Sequence, residues 1–264
     1  MVRVNSVVSL VRFTSAGRTD IGVVRSGNED SFLLEPDRGL FIVADGMGGH
    51  AAGEVASDMA VHIVARALTD VVGKAHPEAA DVMRQAIIEA NGKIFERTLV
   101  EQDKRGMGTT TTAMVINGAR YLIGQVGDSR AYVLRDGGFL QITKDHSYVQ
   151  EQVDAGYLTP EQARTHPYSN VITRCVGANS DVAPDIYVGH LREGDVYLLV
   201  SDGLTGMLED SDVSEIMRSN QSPRELVDAL ISEANRRGGL DNVTVILIRI
   251  DAVEEDVDGG TPHP

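Results

Sequence analysis

Four aspartates stand at the ends of apolar runs in this chain. Asp45 follows FIVA, Asp128 follows YLIGQVG, Asp202 follows YLLVS, and Asp241 comes just before VTVILI. The next residue is small or turn-forming each time: Gly46, Ser129, Gly203 and Asn242. Carboxylates at strand ends, each beside a turn, can converge at one edge of a core while the strands stay apolar within it. Such a group could share a space in ionised form only with cations between them, because like charges at close range force protonation. Oxygen ligands without a cysteine or histidine cluster point to Mg²⁺ or Mn²⁺ rather than zinc. The plain alternative is that each aspartate is a turn residue, as Asp-Gly and Asp-Asn pairs often are. Asp45 argues against simple hairpins, since Met-Gly-Gly-His and then a helical pattern follow it.

A second cluster lies upstream in VRSGNEDSF, where Arg25, Glu29 and Asp30 sit on a Gly/Asn-containing turn that leads into a strand. An arginine grips a phosphate through two parallel hydrogen bonds. A surface turn with a local ion pair is the competing reading.

Other chemistries fit less well. Gly46-x-Gly48-x-x-Ala51 matches a loose dinucleotide fingerprint after a strand and before a helix. Asp45 would then lie beside the pyrophosphate with no lysine nearby. The acidic residue expected about 20 positions on would be Asp70, near the end of a helix rather than of a second parallel strand. No Gly-Lys-Ser/Thr tripeptide occurs, so a P-loop is absent. Cys175 has no arginine a few residues beyond it and reads as a small core residue. The histidines never take a HExxH or similar ligand spacing, and the run from Thr109 to Thr112 reads as a threonine-rich strand.

The whole chain bounds these readings. Its 264 residues are 42% hydrophobic, enough for a real core, and no Pro/Ser-rich linker divides them. The net charge of −15 argues against nucleic acid as a partner. One cysteine rules out an intramolecular disulfide and a cysteine-built zinc site, and fits a reducing, cytoplasmic setting. No secretory signal and no run of about 18 apolar residues is present.

The elements that must position these residues are plentiful but do not alternate as βαβ units require. Strands are predicted over 2–13, 31–35 and 40–44, then helices over 53–72 and 78–102. A block of strands follows at 109–116, 121–126, 130–135 and 139–142, with Asn117-Gly118 and Asp136-Gly137 as hairpin turns. Residues 146–170 carry two capping patterns, at Ser147 and Thr159, and should form two short helices in a projecting flap. Strands are predicted again at 171–175, 186–190 and 196–200. A capped helix from Ser222 to about Arg237 and a last strand over 243–250 follow. The acidic tail 251–264 reads as disordered. Runs of strands, paired helices and more strands make an α+β fold with mainly antiparallel sheets.

Taken together, the segments RSGNEDSF, VADGMGGHAAGE, GMGTTTTA, VGDSRAYVLRDG, QITKDHS, HPYSNVITRCVG, LLVSDGLTGML and GGLDNVTVILI resemble the metal-dependent serine/threonine protein phosphatases of type 2C, especially their bacterial members. The resemblance runs from about Asp20 to Ile250 and implies a four-layer α-β-β-α sandwich of two antiparallel sheets with metals in a cleft at one end. The catalytic domain would cover residues 1–250. By position, Asp45, Asp202 and Asp241 are similar to the ligands of two core Mn²⁺ or Mg²⁺ ions, and Gly46 to the residue that offers its backbone carbonyl. Arg25 matches the phosphate-binding arginine, and Glu29 and Asp30 the carboxylates that hold metal-bound waters. Asp128, with Asp202, resembles the site of a third metal in bacterial members, to which Asn170 would add a ligand. Met47 stands where animal members carry a histidine proposed as general acid, so the source of the leaving-group proton stays open.

The implied activity is hydrolysis of phosphoserine and phosphothreonine on proteins, with a metal-bridging water as nucleophile and no covalent enzyme intermediate. The resemblance implies a bacterial serine/threonine kinase and its substrates as partners, a monomer, and the flap as the selectivity element. A membrane anchor beyond Pro264 in a longer natural chain is compatible with it. The alternative is an inactive regulatory or binding module on the same fold, whose sequence sign would be the loss of a core aspartate.

Overall fold

Strand β3 (Leu40–Met47) explains the layering. Leu40, Ile42 and Ala44 enter one core while Phe41 and Val43 enter another, and all five are buried. A strand apolar on both faces needs a covering layer on each side. The computed structural model describes residues 11–48 and 52–254 and supplies both layers.

One sheet runs, in spatial order, β1 (Val11–Asp20), β11 (Val243–Val253), β10 (Val196–Val200), β7 (Arg130–Arg135) and β8 (Gly138–Gln141). The other runs β2 (Asp30–Glu35), β3, β5 (Thr111–Asn117), β6 (Arg120–Val126) and β9 (Asp185–His190), with the short β4 (Gly108–Thr109) on β3. Neighbouring strands are antiparallel in both. Phe41, Met114, Tyr197, Leu199, Ile246 and Ile248 fill the space between the sheets.

Helices α1 (Ala52–Ala67) and α2 (His76–Val100) cover the outer face of the β3 sheet. Small residues at Ala56, Ala60 and Ala86, with Met83, Ile87 and Ile94, make that core. On the other outer face lie α5 (Asp202–Thr205), α6 (Asp210–Met217) and α7 (Pro223–Arg236). Leu226, Leu230 and Ala234 recur on one face of α7 at helical spacing and pack against Val245 and Leu247. The result is the expected four-layer α-β-β-α sandwich.

The segment between β8 and β9 forms the expected flap helices, α3 (Tyr148–Asp154) and α4 (Pro160–Arg164). Thr159 and Gln162 make a reciprocal capping box, as do Ser222 and Glu225 at α7. Asp136 and Gly137 both adopt positive φ, of 50° and 75°, as a tight hairpin turn demands.

Several boundaries differ from the sequence reading. Residues 171–175 are not a strand. Their β-forming side chains find no continuous partner, and only isolated bridges from Ser147 to Ile172 and from Thr109 to Val176 form near them. The expected strand 109–116 is broken at Thr110 into β4 and β5. The first strand runs over Val11–Asp20 instead of 2–13, whose first nine residues lie outside the described residues. The start of the acidic tail is ordered: Ala252 and Val253 pair with Arg12 and Val11 of β1, and the tail beyond Glu254 lies outside the described residues. Helix α6 was not expected, because its Asp- and Ser-rich sequence mimics a loop. No helix among the described residues is long and apolar enough to cross a membrane.

Candidate functional site

The topology brings the four strand-end aspartates to one end of the sandwich. Asp45 lies near the end of β3, and Asp30 opens β2 directly opposite it in the register. Asp202 follows β10 and Asp241 precedes β11, neighbours in the other sheet. Asp128 lies in the link from β6 to β7, where the chain passes between sheets. A cavity of about 630 Å³ opens there, walled by Asp45, Asp128, Asp202 and Asp241 with Arg25 and Glu29. Gly46 and Asn170 also line it. Of the residues predicted for the site, Asp30 is the exception: it sits buried behind the wall. Its Oδ2 accepts hydrogen bonds from Ser201 Oγ at 2.8 Å and Thr244 Oγ1 at 2.6 Å, which ties the two sheets together beneath the cavity.

Local geometry explains the glycines. A Cβ on Gly46 would lie 2.1 Å from the carbonyl oxygen of Gly53 and 2.5 Å from that of Glu29, so only glycine passes between these backbones. A Cβ on Gly203 would lie 1.9 Å from the carbonyl oxygen of Asn242, which is how Asp202 and Asp241 come to share one wall.

Electrostatically the site is crowded. Burial is the largest cause raising the Asp45 carboxyl well above its ordinary value, and the charges of Asp30, Asp202 and Asp128 add to it. Asp202 is raised by burial and by Asp241. Burial, with Asp202 and Asp145 adding, pushes Asp128 up to about 8. Asp30 is pushed to about 7, again mainly by burial, which outweighs its two hydroxyl donors. Arg25 donates to Asp241 Oδ2 at 2.6 Å. The predicted phosphate clamp thus rests on one of the predicted ligands, at the mouth of the cavity.

The donor set suits hard divalent cations: carboxylate oxygens, a backbone carbonyl and an amide, with no sulfur. A direct sign is Asp202: no N–H or hydroxyl donor reaches its buried Oδ1, and the side chain that its carboxyl meets is another carboxyl, that of Asp45. Buried polar atoms are normally satisfied, and one facing other carboxylates calls for a positive charge. Among the described residues, no three His, Cys, Asp or Glu side chains are gathered to grip a single ion.

Two positioning roles escaped the sequence reading. Asn242 fastens the Arg25 loop: its Nδ2 donates to the carbonyls of Ile21 and Gly27, each at 2.9 Å, and its Oδ1 accepts from Glu29 N–H at 2.9 Å. The only sequence sign was an amide beside Asp241. Thr110 lines the cavity and accepts from Asp45 N–H at 2.9 Å, while its N–H donates to the Asp45 carbonyl at 2.9 Å. It interrupts the threonine run where the chain leaves one strand pairing for the next. Glu54 also reaches the wall. His50 lies outside the described residues.

Comparison with known proteins gives a consistent result. A family profile described as protein phosphatase 2C matches residues 24–237. The serine/threonine phosphatase stp of Listeria monocytogenes is 38% identical over 245 residues, covering 91% of this chain and 97% of that protein. The solved serine/threonine phosphatase of S. agalactiae superposes with a TM-score of 0.85 at 40% identity, covering 90% of this chain and all of that one. The catalytic domain of the serine/threonine protein phosphatase PstP, solved in complex with two manganese ions, superposes with a TM-score of 0.82 at 39% identity, covering 92% and 99% of the two chains.

Proposed function

The chain belongs to the protein phosphatase 2C family, and from that premise we propose that it hydrolyses phosphoserine and phosphothreonine on proteins at a binuclear manganese or magnesium centre. The observation that carries this reading is Asp202 Oδ1, which no N–H or hydroxyl donor reaches, on a wall of four aspartates whose one lining arginine bonds Asp241. All four core aspartates are present, so the sign of an inactive binding module is missing.

In this reading Asp45, Asp202, Asp241 and the Gly46 carbonyl hold two ions, and Asp128 with Asn170 serves a third. Divalent ions held there would supply an activated water as nucleophile near neutral pH and would neutralise charge on the phosphoryl oxygens. The protein's own part is placement. Gly46 lets its turn pass against the backbones of Glu29 and Gly53, and Gly203 lets the Asp202 turn pass against that of Asn242. Thr110 fixes the Asp45 backbone, and Asn242 fixes the loop that carries Arg25 and Glu29. Arg25 trades its contact with Asp241 for the substrate phosphate, where its planar fork matches two phosphoryl oxygens. Glu29, on the wall, would orient water beside the ions, whereas Asp30 braces the two sheets from behind it. Residues 1–250 act as one catalytic unit, and the substrates include a serine/threonine kinase and the proteins it phosphorylates.

The test is hydrolysis of a phosphothreonine peptide by the purified protein with and without Mn²⁺. Turnover that needs the metal and vanishes in Asp202→Ala is expected. No turnover under any divalent ion would overturn the proposal.

A further inference from the structure

Beside the cavity the surface changes character. Ile21, Val23, Val24 and Leu240 expose 39%, 66%, 63% and 57% of their area, on a chain whose net charge is −15. They come from two loops far apart in sequence that the fold fastens side by side. Val23 N–H and Val24 N–H both donate to the Gly239 carbonyl, at 2.8 and 3.2 Å. Asn242 holds the Ile21 carbonyl, and a Cβ on Gly22 would lie 2.3 Å from the carbonyl oxygen of Asp241. Met207 approaches the same loop, its sulfur within 3.9 Å of a Cβ placed on Gly238. Apolar side chains grouped in this way on an acidic surface mark an interaction site.

Their position names the occupant. Val24 directly precedes Arg25, and Leu240 directly precedes Asp241, and both of those second residues line the cavity. A peptide with its phosphate in the cavity has this rim as one of its paths outward. An extended chain advances about 3.3–3.6 Å per residue, so residues one or two places from the phosphorylated one reach the ledge. We propose that the Ile21–Val23–Val24–Leu240 ledge receives a bulky aliphatic side chain of the phosphoprotein next to the residue being dephosphorylated. This rests on the phosphatase reading of the cavity and adds to it a sequence preference. Because backbone hydrogen bonds hold the ledge, it is formed before the substrate arrives, and docking there orders no loop.

The experiment compares two phosphothreonine peptides, identical except that the phosphothreonine is flanked on both sides by leucine in one and by serine in the other. The protein should prefer the leucine peptide. In the double variant Val24→Ser/Leu240→Ser that preference should fall by about tenfold, through KM and not kcat. Turnover of the serine peptide and of p-nitrophenyl phosphate should be unchanged. Val24→Ile, which keeps the apolar surface, should keep the preference. The ledge proposal is overturned if the native protein treats the two peptides alike, or if the double variant loses both equally. Absence of Mn²⁺-dependent turnover on either peptide and on p-nitrophenyl phosphate would overturn the phosphatase reading along with it.

Discussion

Carboxylates are taken out of water in two regions of this protein, with opposite arrangements. At the far end of the β10–β7 pair, Asp195 has a complete set of partners. Arg135 donates to both its oxygens, at 2.8 and 2.6 Å, and Tyr197 Oη and Arg192 N–H donate to Oδ2 at 3.0 and 2.8 Å. Asp145 is gripped in the same way by Arg130 at 2.9 and 2.7 Å, with Gln141 as a further donor. In the cavity, four aspartates line one wall, the one arginine there engages Asp241, and an oxygen of Asp202 has no N–H or hydroxyl donor. The first arrangement is a closed structural set. The second is open, and an open set of half-buried carboxylates persists where something of opposite charge comes and goes.

The largest expected effects test this contrast directly. Replacing Asp202 by alanine removes both a proposed ligand oxygen and a source of repulsion. Mn²⁺-dependent turnover should fall by more than about a hundredfold, since even outer partners of metal ligands cost 10–100-fold. The melting temperature of the metal-free protein should hold steady or rise. Asp195→Ala should do the reverse. It leaves Arg135 without its carboxylate and Tyr197 without its acceptor, and should cost about 3 kcal/mol in denaturant unfolding. That is the low end for a broken buried pair, because the Arg135 side chain still reaches solvent. The remaining folded enzyme should turn over normally. If Asp202→Ala unfolds the protein, or Asp195→Ala destroys turnover without loss of stability, the contrast is wrong.

Proton linkage gives a smaller and finer test. Asp30 and Asp128, with values raised to about 7 and about 8 mainly by burial, hold protons in the folded protein that the unfolded chain releases near pH 4. A carboxyl raised on folding contributes stability fully below its unfolded value and loses it as pH rises through its folded value. The metal-free protein should therefore lose stability from about pH 4 to about pH 8 on account of these groups. Mn²⁺ competes with the same protons, so it binds better as pH rises. Its stabilising effect, about 2.7 kcal/mol at a hundredfold excess over Kd, should appear at a lower Mn²⁺ concentration at pH 8 than at pH 6. Melting curves across a metal titration at the two pH values check this, and equal midpoints would contradict it.

The open region was more legible in the sequence than the closed one, and the reason is local. Asp45 and Asp202 each end an apolar strand and precede a glycine, so their place at a sheet edge follows from short-range pattern alone. The capping boxes at Thr159 and Ser222 were legible for the same reason. Pairings across the fold left no such mark. Nothing near Arg25 announces Asp241, a contact made by two loops that meet only after β1 and β11 pair. Asn242 reads as a turn residue until its three carbonyl and amide partners on the 21–29 loop are placed around it. Asp195 with Arg135, and Asp145 with Arg130, were passed over entirely because a sequence does not show which charges lose their water. Val171, Ile172 and Thr173 misled for the complementary reason. Their strand propensity is real, but a strand exists only where another edge lies alongside.

A third setting completes the comparison and carries the smallest expected effect. Glu233 is held by two arginines, Arg236 at 2.6 and 2.7 Å and Arg237 at 2.8 Å, and those contacts press its carboxyl down to about 2. It has more charged donors than Asp195, two arginines against one, yet its side chain keeps 21% of its area in water where that of Asp195 keeps 1%. Its lowered value contributes stability above the ordinary glutamate range and loses it only as pH falls toward 2, so nothing should change between pH 5 and pH 9. Surface pairs of this kind give little net stabilisation because ordering long side chains and screening offset the attraction. Glu233→Gln should leave both the melting temperature and Mn²⁺-dependent turnover where they were. A clear drop in melting temperature would mean that arginine contacts stabilise in proportion to their number. Asp195 and the cavity would then differ only in arginine count, and desolvation would lose its place as the property that separates the structural carboxylates from the functional ones.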